Sequence, residues 1–176
     1  RAVRRGAFSP PDAERGAELF DVTQQVLCEA GLEAYEVSNH ARGAAARSRH
    51  NLVYWTGQDY VGVGPGSHGR ITADGARQAT YAAPKPADYI ARVAEGGLGL
   101  ATREALDPRE AAQERLLSGL RITEGVGRHE VAALEIAPET VADLIALGLL
   151  ADDPARLRAT PAGRLVLDRL TRELAT

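Results

Sequence analysis

Methionine is absent from the 176 residues, and cysteine occurs once, as Cys28. One thiol excludes an internal disulfide, a four-cysteine zinc site and any cluster held by several thiolates of this chain. A chain that opens RAVRRGAF, without Met, is expected to be a fragment or a processed product. No apolar run approaches the roughly 20 residues of a membrane span, and no opening stretch reads as a signal peptide. Aromatic residues are only 5%, so a core must draw on the Ala and Leu within a hydrophobic content of 44%. Positive charge is not in excess. The formal net charge of −3 argues against a general polyanion binder and leaves room only for a local basic patch. The expectation is a cytoplasmic protein of one large domain or two small ones.

The first half carries α/β grammar. Ser9-Pro10-Pro11-Asp12 is predicted to open a helix, with Ser9 as the cap and Asp12 completing a capping box. Ala13, Ala17, Phe20 and Leu27 follow at helical spacing. Gly31 is predicted to close the helix in a left-handed conformation. Residues 32–37 (LEAYEV) read as a strand, and a lone helix-strand unit must belong to a larger sheet. Residues 38–49 read as a loop with Arg42, Arg47 and Arg49 and no acid. That loop is either a solvated turn or a clamp for an anion. Residues 60–63 (YVGV) are predicted to be a short strand, 72–84 irregular chain, and 98–106 a linker. A short helix is predicted between them, behind Pro86 and ended by Gly96-Gly97.

From Asp107 the pattern becomes helical. Asp107-Pro108-Arg109-Glu110 spells a capping box with Pro at the first helical position. A second short helix is expected near Arg128–Leu134 and a third from Pro138 to Gly148. Then Leu149-Leu150, a turn at Asp152-Asp153-Pro154 and Leu157–Thr160 suggest a hairpin, and Thr160-Pro161 caps a last helix. Three helices, a wing and a closing helix describe a winged helix-turn-helix. DNA is an unlikely partner on charge. The helix in the recognition position, PETVADLIAL, has Glu139 and Asp143 and no cation to read bases or grip phosphates.

The most distinctive stretch is HNLVYWTGQDYVGVGPGSHGR, residues 50–70. It contains the only Trp of the chain. His50 and Tyr54 are four apart, as are Asn51 and Trp55, so a helical turn would put each pair on one face. GVGPGSHG lacks the Lys-Ser/Thr ending of a P-loop, and Ser67 stands where a dinucleotide fingerprint needs Gly. Gly64 and Gly66 still let backbone approach a ligand closely, with His68 at the end. Two readings of the aromatic and His residues stay open: caps and core packing, or a ligand site.

YEVSNHAR, SRHNLVYW and DYVGVGPGSHGR, in this order, resemble the HemW-type family, relatives of oxygen-independent coproporphyrinogen III oxidase within the radical S-adenosylmethionine (SAM) proteins. LSGLRITEGV and ALGLLADDPARLRATPAGR are similar to the family's C-terminal domain. HNxxYW is the motif associated with haem chaperones rather than with the oxidase. The sequence departs from the family pattern at His40, where relatives have an aromatic residue, and at Pro65 and Ser67 in the Gly-rich loop.

The resemblance implies an α/β plus mainly α fold. Residues 1–71 would be the last elements of a partial (β/α) radical-SAM barrel, 72–106 a connecting segment, and 107–176 a small winged-helix-like domain. It implies a [4Fe–4S] cluster and SAM for the intact protein, although the cluster's three Cys have no counterpart here. It implies haem or porphyrin as ligand and a haem-recipient protein as partner, with coproporphyrinogen oxidation as the alternative function. On this basis His50, or else His68, ligates haem iron, Asn51, Tyr54 and Trp55 contribute to the site, and Arg47 and Arg49 face the propionates. Gly64, Gly66 and His68 form a cofactor-proximal loop. A structural His pinning the loop is the competing role for His50.

Overall fold

The computed structural model describes residues 9–175. The chain divides into two compact units, Arg1–Arg47 and Ser48–Thr176.

In the first unit, α1 (Ala13–Glu29) is capped by Asp12, whose Oδ1 accepts the Arg15 N–H at 2.8 Å. This corrects the expected cap at Ser9. Proline disfavours the helical region in the residue before it, here Ser9 and Pro10, and the helix starts only after Asp12. Gly31, at φ +73°, makes the left-handed turn after the helix as expected. Only Glu33–Ala34 (β1) of the predicted strand 32–37 is strand, paired antiparallel with His40–Ala41 (β2). Tyr35 and Glu36 between them are buried, and Asn39 donates its side-chain N–H to the Glu36 carboxylate.

In the second unit, Ser48 caps α2 (Arg49–Trp55). The predicted strand at 60–63 is not formed. Tyr60 alone bridges to Arg70, with backbone bonds of 2.8 and 2.9 Å, and Gly62 passes so close to the His68 carbonyl that no side chain fits. The segments predicted as irregular chain and linker are strands. β3 (His68–Ala73), β4 (Ala76–Ala82) and β5 (Leu100–Ala105) form an antiparallel sheet in the order β3-β4-β5. Asp74-Gly75, both at positive φ, turn the first hairpin. Between β4 and β5 lies α3 (Pro86–Gly96), ended by Gly97 in the left-handed region as the Gly pair predicts. Among the described residues there is no closed barrel.

The core lies beyond this sheet. α4 (Pro108–Gly119) begins at the predicted capping box: Asp107 Oδ1 accepts the Glu110 N–H at 2.9 Å, and Glu110 Oε2 accepts the Asp107 N–H at 3.1 Å. Its Leu116 and the following Leu120 are fully buried with Val126, Leu157, Leu170 and Leu174. The segment 128–134 is a 3₁₀ helix, followed by α5 (Pro138–Ala146). β6 (Val126–Gly127) pairs with β7 (Arg156–Leu157), and Leu150 bridges Ala159 on the other side. Thr160 caps α6 (Pro161–Leu165) by accepting the Gly163 N–H at 3.0 Å, and α7 (Leu167–Ala175) closes the core with Leu167, Leu170 and Leu174.

Candidate functional site

α2 is the centre of the site. Ser48 Oγ accepts the Asn51 N–H at 3.3 Å and starts the helix, and Thr56 Oγ1 bonds the Leu52 carbonyl at 2.6 Å as it ends. HNLVYW is therefore a helical turn, and the i, i+4 pairing is realised. The rings of His50 and Tyr54 meet edge-on with centroids 4.9 Å apart, and Tyr54 meets Tyr60 in the same manner at 4.6 Å. His50 is exposed, whereas Tyr54 and Trp55 are half-buried. The Trp55 end of the turn is tied down: the Arg121 guanidinium lies over the Trp55 ring, 4.7 Å from its centroid.

Tyr54, Trp55 and Tyr60 line a cavity of about 320 Å³ with Arg70, Arg77 and Arg115. Its electrostatics are set by ion pairs. Arg70 donates Nε and Nη2 to the Glu114 carboxylate at 2.9 and 2.5 Å, which raises its pKa from the ordinary arginine value. Arg115 Nε donates to Glu130 Oε1 at 2.8 Å, and its Nη1 to the Trp55 carbonyl at 3.2 Å. Glu130 Oε2 also accepts the Gly127 N–H at 2.8 Å. Burial pushes the Glu130 carboxyl up, but Arg115, the Gly127 N–H and the nearby His129 outweigh it, and the net pKa is lowered. Arg77 Nη1 donates to the Gly57 carbonyl at 2.9 Å and lies 3.4 Å from Asp59. The Asp59 carboxyl is held below its ordinary value first by the backbone and side chain of Thr72.

The other sequence candidates are dispersed. His68 is exposed on β3, its ring 4.7 Å from Tyr81, and does not line this cavity. Gly64 and Gly66 take φ of +100° and +72°, and the Gly64 N–H donates to the Tyr89 hydroxyl at 3.2 Å. Arg49 is exposed on the first turn of α2. Arg47 belongs to the first unit, where its guanidinium stands 5.6 Å over the Tyr35 ring. Tyr60, Arg70, Arg77, Glu114 and Arg115 were not candidates from sequence. Glu114 and Arg115 lie on α4, far along the chain from residue 54, and no local spacing signals their approach.

The donor set separates two groups. Around the end of α2 the cavity offers a phenol, an indole and three guanidiniums in a volume at the small end of ligand sites, about 300–1,000 Å³, and the exposed His50 imidazole stands on the same helix without lining it. A cluster held by three thiolates does not fit. Cys28 is the only thiol and is exposed on α1, and among the described residues no group of three His, Cys, Asp or Glu could hold a metal ion.

Residues 106–166 match the HemN C-terminal domain. The chain is 37% identical over 181 residues to bovine radical S-adenosyl methionine domain-containing protein 1, mitochondrial, an alignment covering 96% of this chain and 41% of that protein. It is 30% identical to the heme chaperone HemW of Bacillus subtilis, over 93% of this chain and 44% of the relative, and 33% identical to that of Mycobacterium tuberculosis, over 99% and 43%. The fold matches Escherichia coli coproporphyrinogen III oxidase (HemN), a radical SAM enzyme, with a TM-score of 0.64 at 16% identity, over 94% of this chain and 42% of that one. Over almost all of its own length the chain is thus similar to HemW-type haem chaperones and to radical SAM domain-containing protein 1, and residues 106–166 form a HemN C-terminal domain. The chain spans less than half the length of these relatives. Among the described residues no helix is long and apolar enough to cross a membrane.

Proposed function

We propose that this chain is the part of a HemW-like haem chaperone that carries the HNxxYW motif and the HemN C-terminal domain, and that it acts in haem binding and transfer to a recipient protein. The observation that carries the reading is the exposed His50 imidazole edge-on to Tyr54 on α2. An imidazole open to solvent would ligate haem iron, and the exposed Arg49 would offer a cation to a propionate, while Arg70 and Arg77 beside Tyr54 are engaged by Glu114, Asp59 and the Gly57 carbonyl. The names of the bacterial relatives support haem as the cargo.

The radical chemistry belongs elsewhere in this proposal. The cluster and SAM would be held by a barrel whose last elements are residues 1–71, with Gly64, Gly66 and His68 nearest to them. Residues 72–106 would connect that barrel to residues 107–176. The order α4, β6, 3₁₀ helix, α5, β7, α6–α7 supports a winged-helix-like reading of this last segment. A cytoplasmic location is part of this proposal, and the animal relatives are named as mitochondrial. The second reading, a coproporphyrinogen oxidase, is favoured by the fold match to HemN. Hemin titration together with an assay for coproporphyrinogen consumption by the intact protein separates the two: His50-dependent hemin binding without consumption supports the chaperone, and consumption supports the oxidase.

A further inference from the structure

The two i, i+4 pairs of HNLVYW have different surroundings. His50 is exposed and meets the Tyr54 ring edge-on, and Tyr54 lines the cavity together with Trp55. Trp55 does not stand free beside them. Its indole face is covered by Arg121, its Nε1 is buried without a hydrogen-bond partner, and so is the Nε of Arg121. A tryptophan kept to stack on a ligand would leave its face open and its N–H wet or paired. Here the guanidinium of Arg121 occupies one face of the indole, and the stacking holds the two side chains together.

The backbone of the same turn is gripped as well. Arg115 on α4 donates to the Trp55 carbonyl, and Glu130 fixes Arg115 while accepting the Gly127 N–H. A polar chain thus runs from the last turn of α2 through α4 to the 3₁₀ helix. Gly57, at φ +69°, lets it close: a Cβ there would sit 2.5 Å from Arg115 Cδ. A helix of seven residues has too little internal stability to fix its own direction, so its orientation comes from its attachments.

We infer that Trp55 is a positioning residue: clamped by Arg121 and Arg115, it fastens α2 to α4 and thereby sets where the His50 imidazole stands. Its part in haem handling rests on the proposed function. The HemN C-terminal domain, which supplies both arginines, is then the mount on which the histidine is presented.

The test uses the 176-residue chain with Arg121→Gln, and Arg121→Lys as the conservative rescue, each first shown to be folded by circular dichroism. Amide hydrogen exchange of residues 49–55 is read without haem, and the Soret position and hemin affinity with it. Arg121→Gln is expected to speed exchange in α2 and to weaken hemin binding, each by about tenfold, with an altered Soret band, while Arg121→Lys recovers most of both. A folded Arg121→Gln chain with wild-type exchange in α2, or with faster exchange but an unchanged Soret band and affinity, overturns the inference. If hemin spectra of the wild-type chain are indifferent to His50→Ala, the haem reading falls by itself. The clamp is then decided by exchange alone: deprotection of α2 in Arg121→Gln supports it, and unchanged protection overturns it.

Discussion

Arg121 and Trp55 are stacked, with the guanidinium carbon 4.7 Å from the centroid of the indole ring. Sixty-six positions separate them, yet this contact decides how HNLVYW is used. It ties the Trp of the motif to the C-terminal helical segment and leaves the His exposed. The motif has one displayed side and one anchored side.

The Arg115–Glu130 pair is expected to contribute measurably to stability. The two side chains are 13% and 28% exposed and share three hydrogen bonds with each other and with backbone. Glu130→Gln should cost about 1 kcal/mol in urea denaturation at neutral pH. The folded-state pKa of Glu130 is lowered from 4.5, so the wild-type advantage is fully present above that pH. It is lost as pH falls through the lower folded value. The difference between wild type and Glu130→Gln should therefore shrink in acid and stay flat from pH 6 to 8; a difference that grows in acid contradicts the pairing.

Two glycines should respond in opposite directions to the same substitution. Gly16 lies within α1 with open space around its missing Cβ, so Gly16→Ala should stabilise by about 0.5–1 kcal/mol. A Cβ on Gly163 would run into the Leu149 carbonyl, at the place where Thr160 caps α6. Gly163→Ala should destabilise by about 1–3 kcal/mol. Thermal melts of the two variants check both signs.

Nucleic acid should not bind the C-terminal segment. α5 displays Glu139 and Asp143, both exposed, and the segment has no compensating cationic face along that helix. A low-salt mobility assay with duplex DNA should show no shift; a clear shift that weakens steeply with salt would contradict this.

The helical part of the fold was legible because its ends are chemically marked. Asp107 with Glu110, Thr160 with Pro161, Gly31 and Gly97 each name a boundary by the backbone group they satisfy or the φ they adopt. The sheet β3-β4-β5 was hidden. HGRITA, ARQATYA and LATREA carry Arg, Gln and Thr where an alternating apolar face would be read, because one side of β3 and β4 is occupied by Arg70 and Arg77 reaching toward Glu114 and Asp59. Val61 and Val63 gave the opposite error. They look like strand residues but are exposed, on a segment bent by the close pass of Gly62 against His68.

The site was legible in its nucleus alone. The i, i+4 spacing foretold the His50–Tyr54 contact, since helix geometry fixes it. Spacing could not say which side of the turn faces solvent. That depends on Arg115 and Arg121, brought to α2 by the packing of α4, and packing at such sequence separation leaves no local trace.

The most direct test of the account is a hemin titration of the 176-residue chain and of His50→Ala, followed by the Soret band. His50 is exposed, so the substitution should leave the fold intact. The account expects saturable binding with a shifted Soret band in the wild type, and a weakened or differently placed band in His50→Ala. Identical Soret position and affinity in the two chains would contradict it.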